Sequence, residues 1–113
     1  MAAVREWLDD PAAAPRRTTM TAVRFTLEEL GALHPGRALE VRVPPAGAVQ
    51  ILQGTTHRRG TPPAVVEMDM DTWLRVALGL DAWADAEDDG RVQASGERAE
   101  IGALLPVLDV PEA

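Results

Sequence analysis

The sequence contains no cysteine, lysine, asparagine or tyrosine, one serine, one phenylalanine and two histidines. Without cysteine there is neither a disulfide framework nor a thiolate metal site. The absence of lysine as well closes the Schiff-base and activated-thiol routes of covalent catalysis. The single serine, Ser95, stands in Ala94-Ser95-Gly96 rather than in the Gly-x-Ser-x-Gly turn of a hydrolase nucleophile. A turn serine is thus the simpler reading than a Ser–His–Asp arrangement. His34 and His57 are too far apart in sequence for the helical His-x-x-x-His spacing that shares a zinc ion. No metal or other cofactor is expected. Residues 1–10 lack the charged-then-apolar run of a secretory signal. No apolar stretch approaches the roughly 20 residues of a membrane span. With no cysteine to oxidise, the expectation is a cytoplasmic protein with no stable membrane insertion.

Charge narrows the partners. All basic residues are arginine, 11 against 18 acidic residues, for a formal net charge of −7. That sign disfavours nucleic acid, which is held by clustered cations neutralising phosphates. Arg16-Arg17 and His57-Arg58-Arg59 are the only basic groups of note, and neither extends into a stripe. Abundant Ala, Arg, Asp and Gly without lysine or asparagine is the coding bias of a GC-rich bacterium. The acidic residues Asp85, Glu87, Asp88 and Asp89 lack the alternating Asp-x-Asp-x-Asp-Gly pattern and distal glutamate of a calcium loop, and read as a solvated helix end.

At 113 residues, 46% of them hydrophobic, the chain is of a size for one domain with its own core. Val4, Trp7 and Leu8 share one side of a short helix over residues 2–8, broken by a Pro/Ala linker that runs to Pro15. Residues 1–15 thus divide from a single domain over 16–113. Met20, Val23, Leu27 and Leu30 form the stripe of a second helix over 18–34, capped by Thr18 or Thr19 and stopped by Pro35-Gly36. Leu39, Val41 and Val43 alternate with Glu40 and Arg42 in a strand over 38–43. Pro44-Pro45-Ala46-Gly47 turns it into a hairpin with a second strand over 48–53. A third strand, 64–68, follows Pro62-Pro63, and prolines at its entry suit a strand start or an edge position rather than a central one. Asp69 or Asp71 caps a helix carrying Trp73, Val76, Ala77 and Leu80, with Gly79 near its end. Asp81 caps another over 82–88, which Gly90 ends. A strand over 91–95 turns at Gly96 into a last helix over 97–105 with Ile101, Leu104 and Leu105 inward. Strands and helices segregated in this way give an α+β fold: a mostly antiparallel, curved sheet of four to five strands with helices over one face.

Two features bear on binding. Gly54 to Gly60 is a basic loop that leads into a strand rather than a helix, so it is no phosphate cradle; it can still meet an anionic head group. Trp73 and Trp83 lie on consecutive helices and either pack the core or line a cavity, the core reading carrying more weight. Leu74, Leu78, Leu80, Leu104, Leu105 and Leu108 face the same choice.

The segments His57-Arg58-Arg59-Gly60-Thr61-Pro62-Pro63-Ala64-Val65-Val66-Glu67-Met68-Asp69, Thr72-Trp73-Leu74, Trp83-Ala84-Asp85-Ala86 and Gly90-Arg91-Val92-Gln93-Ala94-Ser95-Gly96 resemble the actinobacterial branch of the sterol carrier protein 2-like family. The resemblance runs from about residue 18 to 108. It is more specific in the C-terminal half; the N-terminal half matches by order of elements and by Glu40-Val41-Arg42-Val43-Pro44-Pro45. It implies an apolar tunnel between helices and sheet, and a non-catalytic protein that binds a fatty acid, fatty acyl-CoA or sterol. The tunnel lining it implies is Trp73, Leu74, Ala77, Leu80, Trp83, Ile101, Leu104, Leu105 and Leu108, with His57, Arg58 and Arg59 near the head group. The alternative is a cargo-free interaction protein of the same fold, a homodimer, with Val4, Trp7 and Leu8 packing on the neighbouring subunit.

Overall fold

Alternating apolar residues become one wall of the core. The computed structural model describes residues 1–53, 64–95 and 101–108. In it, β1 (Leu39–Val43) and β2 (Gly47–Ile51) form the hairpin, with Leu39 opposite Ile51 and Val43 opposite Gly47. β3 (Ala64–Met68) lies on the other side of β1 and runs parallel to it; β4 (Val92–Ser95) pairs antiparallel with β3. The result is an open, mixed four-stranded sheet in the order β2-β1-β3-β4. Leu39, Val41 and Val43 of β1 and Ala64, Val66 and Met68 of β3 are buried on one face. On the other, Arg42 is exposed and pairs with the half-buried Glu40.

β3 is therefore an inner strand: of the two positions its prolines suit, the edge is not the one taken, and the strand starts directly after them. The prolines end at Pro63, so residues 64–68 all keep their N–H groups for the ladder. The Ala64 N–H already donates to the Ala38 carbonyl at 3.2 Å. The edges are β2 and β4; in β4 Val92 is half-buried and Ala94 exposed.

The helices cover the buried face. α1 (Ala2–Asp9) packs on α2 (Arg16–Leu33), and α2 packs on both β2 and α3 (Met70–Ala77). α2 starts two residues earlier than Thr18. Pro15 occupies its N-cap position with no side-chain cap, an arrangement that fits proline's lack of an N–H at a helix start. Thr18 is diverted from capping because its hydroxyl donates to the Glu6 carboxylate of α1 at 2.7 Å. Val4 and Trp7 are 0% and 1% exposed inside this chain's own core. They are thus not free to pack on a neighbouring subunit, and only Leu8 of that trio is part-open.

The C-terminal elements depart most from expectation. α3 ends at Ala77, so Leu80 lies beyond it; Gly79, at φ +79°, supplies the left-handed residue that stops the helix. α4 (Trp83–Asp88) has Ala82 at its N-cap with no side-chain cap, because the Asp81 carboxylate is held by arginines. In place of a helix through residue 105, the described part of that segment is one 3-10 turn, Gly102–Leu104, followed by extended Leu105. A glycine inside the segment and Pro106 just after it disfavour an α-helix there.

Burying a large apolar side chain is worth about 1.5–3 kcal/mol in transfer alone, and α1 supplies two such side chains. Trp7→Ala is expected to destabilise the protein by about 3–5 kcal/mol in urea unfolding with no change in subunit number. A mutant of unchanged stability would mean that α1 does not belong to this core.

Candidate functional site

The candidate residues fall into an inner group and an outer one. Asp69 caps α3, its Oδ1 accepting from the Thr72 N–H at 2.7 Å, and the helix then carries Trp73, Leu74 and Ala77 into the core, each 0% exposed. The Trp73 indole Nε1–H donates to Thr26 Oγ1 of α2 at 2.8 Å. That hydroxyl lies 2.9 Å from both the Ala22 and the Val23 carbonyl oxygens and directs its own proton there. A buried tryptophan needs one acceptor and has it. Ile101, also 0% exposed, joins this closed interior.

The outer group surrounds the turn from α3 to α4. After Gly79 the chain exposes Leu80 at 47% and then places Trp83 at 9%. Residues 101–108 come back across this corner. Gly102 lies against the Trp83 ring: a Cβ at that position would sit 3.1 Å from Trp83 Cδ1. Pro106 faces Gly79, and the Val107 and Leu108 N–H groups both donate to the Ala77 carbonyl, at 2.8 and 3.3 Å. Leu104, Leu105 and Leu108 stay half-buried. Of the expected lining, then, Trp73, Leu74, Ala77 and Ile101 are sealed core, whereas Leu80 is exposed and Leu104, Leu105 and Leu108 are half-buried on the segments that meet at Gly79–Pro106 and Gly102–Trp83. His57, Arg58 and Arg59 lie outside the described residues.

Asp81 organises the turn. Arg75 Nε donates to its Oδ2 at 2.9 Å and Arg75 Nη2 to its Oδ1 at 3.2 Å; Arg91 Nη1 donates to Oδ2 at 3.0 Å. Arg91 also reaches Asp89 at 3.1 Å. The Arg75 hydrogen bond first, and the Arg91 one second, hold the Asp81 carboxyl below its ordinary range. These ties pin the start of α4 to α3 and to the approach to β4.

Other candidates are placed apart from this corner. Ser95 is exposed at the end of β4, and the acidic run of α4 faces solvent apart from the Asp89–Arg91 contact. Among the described residues no group of three or more His, Asp or Glu is placed to hold a metal ion, and no helix is long and apolar enough to cross a membrane. A shallow open cleft of about 730 Å³ lies between α1 and α2, lined by Arg5, Glu6, Asp9 and Arg17 among others. Four of its eight lining residues are charged and it is open to solvent, unlike the enclosed apolar pocket that buries most of a ligand.

Three contributors escaped sequence reasoning: Thr26, Gly102 and the Arg75–Asp81–Arg91 group. Thr26 alone carried a signal, a hydroxyl set in the apolar stripe between Val23 and Leu30.

With this geometry in place, comparison with known proteins is informative. Residues 15–107 match the family described as Bacterial SCP ortholog, SCP standing for sterol carrier protein. The match takes in α2, the whole sheet and the Trp83 corner, and the chain belongs to this family. No curated protein matches it.

Two measurements check the site's framework. Thr26→Val replaces the acceptor with a methyl group and leaves a buried N–H unsatisfied, a loss of about 1–3 kcal/mol. Thr26→Ser, which keeps the acceptor, should retain most of that in the same urea titration. For Asp81, a carboxyl depressed in the folded state adds stability above its unfolded pKa, about 3.9, and loses it as pH falls through the folded value. The melting temperature of Asp81→Asn should therefore lie below wild type near neutrality, and the gap should close below about pH 4. Parallel curves would show that the two arginines do not stabilise the charged form.

Proposed function

We propose that this chain is a non-catalytic cytoplasmic carrier module that holds one lipid-like small molecule, such as a fatty acid, a fatty acyl-CoA or a sterol. Membership of a sterol-carrier family supports the general role, and carriers of this family are in general not catalysts. The observation that carries the reading is the apolar corner. Leu80 is exposed and Leu104, Leu105 and Leu108 are half-exposed on two segments that meet where Pro106 faces Gly79 and Gly102 faces Trp83, on a chain of net charge −7. Leucines left part-open at one place are the signature of a surface that something else covers. A hydrocarbon body laid against them leaves water, and each 100 Å² of apolar surface so covered is worth about 2.5 kcal/mol. Trp73 and Leu74 are fully buried, so in this reading the tunnel is opened by the ligand itself. His57, Arg58 and Arg59 remain the head-group candidates. Nucleic acid is not a partner in this reading, since the net charge of −7 opposes it.

The test is native mass spectrometry of gently purified protein, followed by organic extraction. A stoichiometric adduct of lipid mass, released on activation, is the expected result. A bare mass that persists after incubation with fatty acid, acyl-CoA and sterol overturns the proposal, and a dimer mass in that spectrum would favour the interaction protein. Leu80→Glu should leave stability within about 0.5 kcal/mol of wild type, as surface changes do. It should also weaken a bound fatty acid at least about tenfold, equivalent to about 1.4 kcal/mol.

A further inference from the structure

The Trp83 ring carries an unused donor. Its Nε1 atom is buried, and its N–H finds no acceptor among the described residues, in contrast to the paired N–H of Trp73. The residue as a whole is 9% exposed. A buried donor left unpaired costs about 1–3 kcal/mol, so such a group calls for an explanation, and a ligand atom is one.

The surroundings say which atom. Gly102 presents no side chain to the pyrrole edge of the indole, the edge that bears Nε1; its position lies nearest Cδ1, Cβ and Cγ. The 3-10 turn over that edge makes its backbone bonds internally, Leu104 N–H to the Ile101 carbonyl and Leu105 N–H to the Gly102 carbonyl. Among the described residues this segment is tied to α3 by backbone bonds only at Val107 and Leu108. The flanking arginines, Arg75 and Arg91, are already engaged by Asp81 and Asp89. Among the described residues, then, neither of these arginines is left over as a counter-ion, and a carboxylate buried beside the indole without one carries a high cost. An uncharged oxygen would be satisfied by the one neutral donor.

We propose that the Trp83 N–H is the polar anchor of the ligand site, and that it selects amphiphiles with an uncharged acceptor oxygen, a hydroxyl or an ester-type carbonyl, over plain hydrocarbons and over carboxylates. This inference rests on the carrier reading and names the ligand class for the same corner. One neutral hydrogen bond in a dry site sharpens selection by roughly threefold to tenfold; apolar burial supplies the rest of the affinity.

Three probes of equal chain length separate the outcomes: decan-1-ol, decane and decanoate, each titrated into the ¹⁵N-labelled full chain. The indole region holds one cross-peak for each of the three tryptophans, and Trp83→Phe identifies that of Trp83 by its loss. Decan-1-ol should move the Trp83 indole proton downfield, whereas decane should bind without that shift. Trp83→Phe should weaken decan-1-ol roughly threefold to tenfold beyond whatever change it causes in decane, which shares only the lost ring area. Should that variant fold poorly, the wild-type titration decides by itself, the peak being assigned through its proximity to Gly102. Decan-1-ol bound with the Trp83 resonance unmoved overturns the anchor and leaves the carrier reading standing. Decanoate bound more tightly than decan-1-ol overturns the selection of an uncharged oxygen. If none of the three binds, the carrier reading falls and the anchor with it.

Discussion

Trp73 is sealed between α2 and α3, and the one hydrogen bond its indole makes, to the Thr26 hydroxyl, fixes how those two helices meet. The hydroxyl is itself held by the carbonyls of the preceding turn, so the acceptor is oriented before the tryptophan arrives. Because both partners are out of water, neither can exchange the bond for a solvent one. α2 in turn carries α1 through Val4 and Trp7 and lies over β2. α3 carries the Gly79 turn on which α4 and residues 101–108 assemble. Sheet, N-terminal helix and candidate site are thus referred to one buried contact.

The two buried tryptophans of the C-terminal half show how a core and a site differ. Trp73 has its donor satisfied and its neighbours closed. Trp83, ten residues on, has a donor without a partner among the described residues, and the 101–108 segment that meets it carries half-buried leucines. Stability favours satisfying every buried polar group; a group left unsatisfied beside an apolar opening marks the place where packing has been kept incomplete. The Asp81 cluster fits this picture, since it holds the turn in place by charge and leaves apolar surface there uncovered.

Much of the architecture was legible because local signals agreed. The alternation at Leu39, Val41 and Val43, the turn at Pro44 to Gly47 and the Asp69 cap each act over a few residues and need no knowledge of the rest. The stretch 97–105 misled for a related reason: Ile101, Leu104 and Leu105 stand at helical spacing, but Gly102 and Pro106 oppose the helix. The resemblance to sterol carriers was carried by residues that do stand in the matched region, so the family was readable before the fold. The split of the candidate lining into sealed and part-open residues was not.

What the sequence determined by itself is therefore the set of elements, their α+β segregation, the family, and the absence of thiol and amine chemistry, because these follow from composition and from spacing along the chain. Tertiary structure alone decided that β3 is interior, that α1 belongs to the core, that Asp81 binds two arginines instead of capping α4, and that among the described residues Trp73 finds an acceptor where Trp83 does not. Each of these depends on what a residue meets from a distant part of the chain. Thr26 and Trp73 are 47 positions apart, and no local pattern encodes such a meeting.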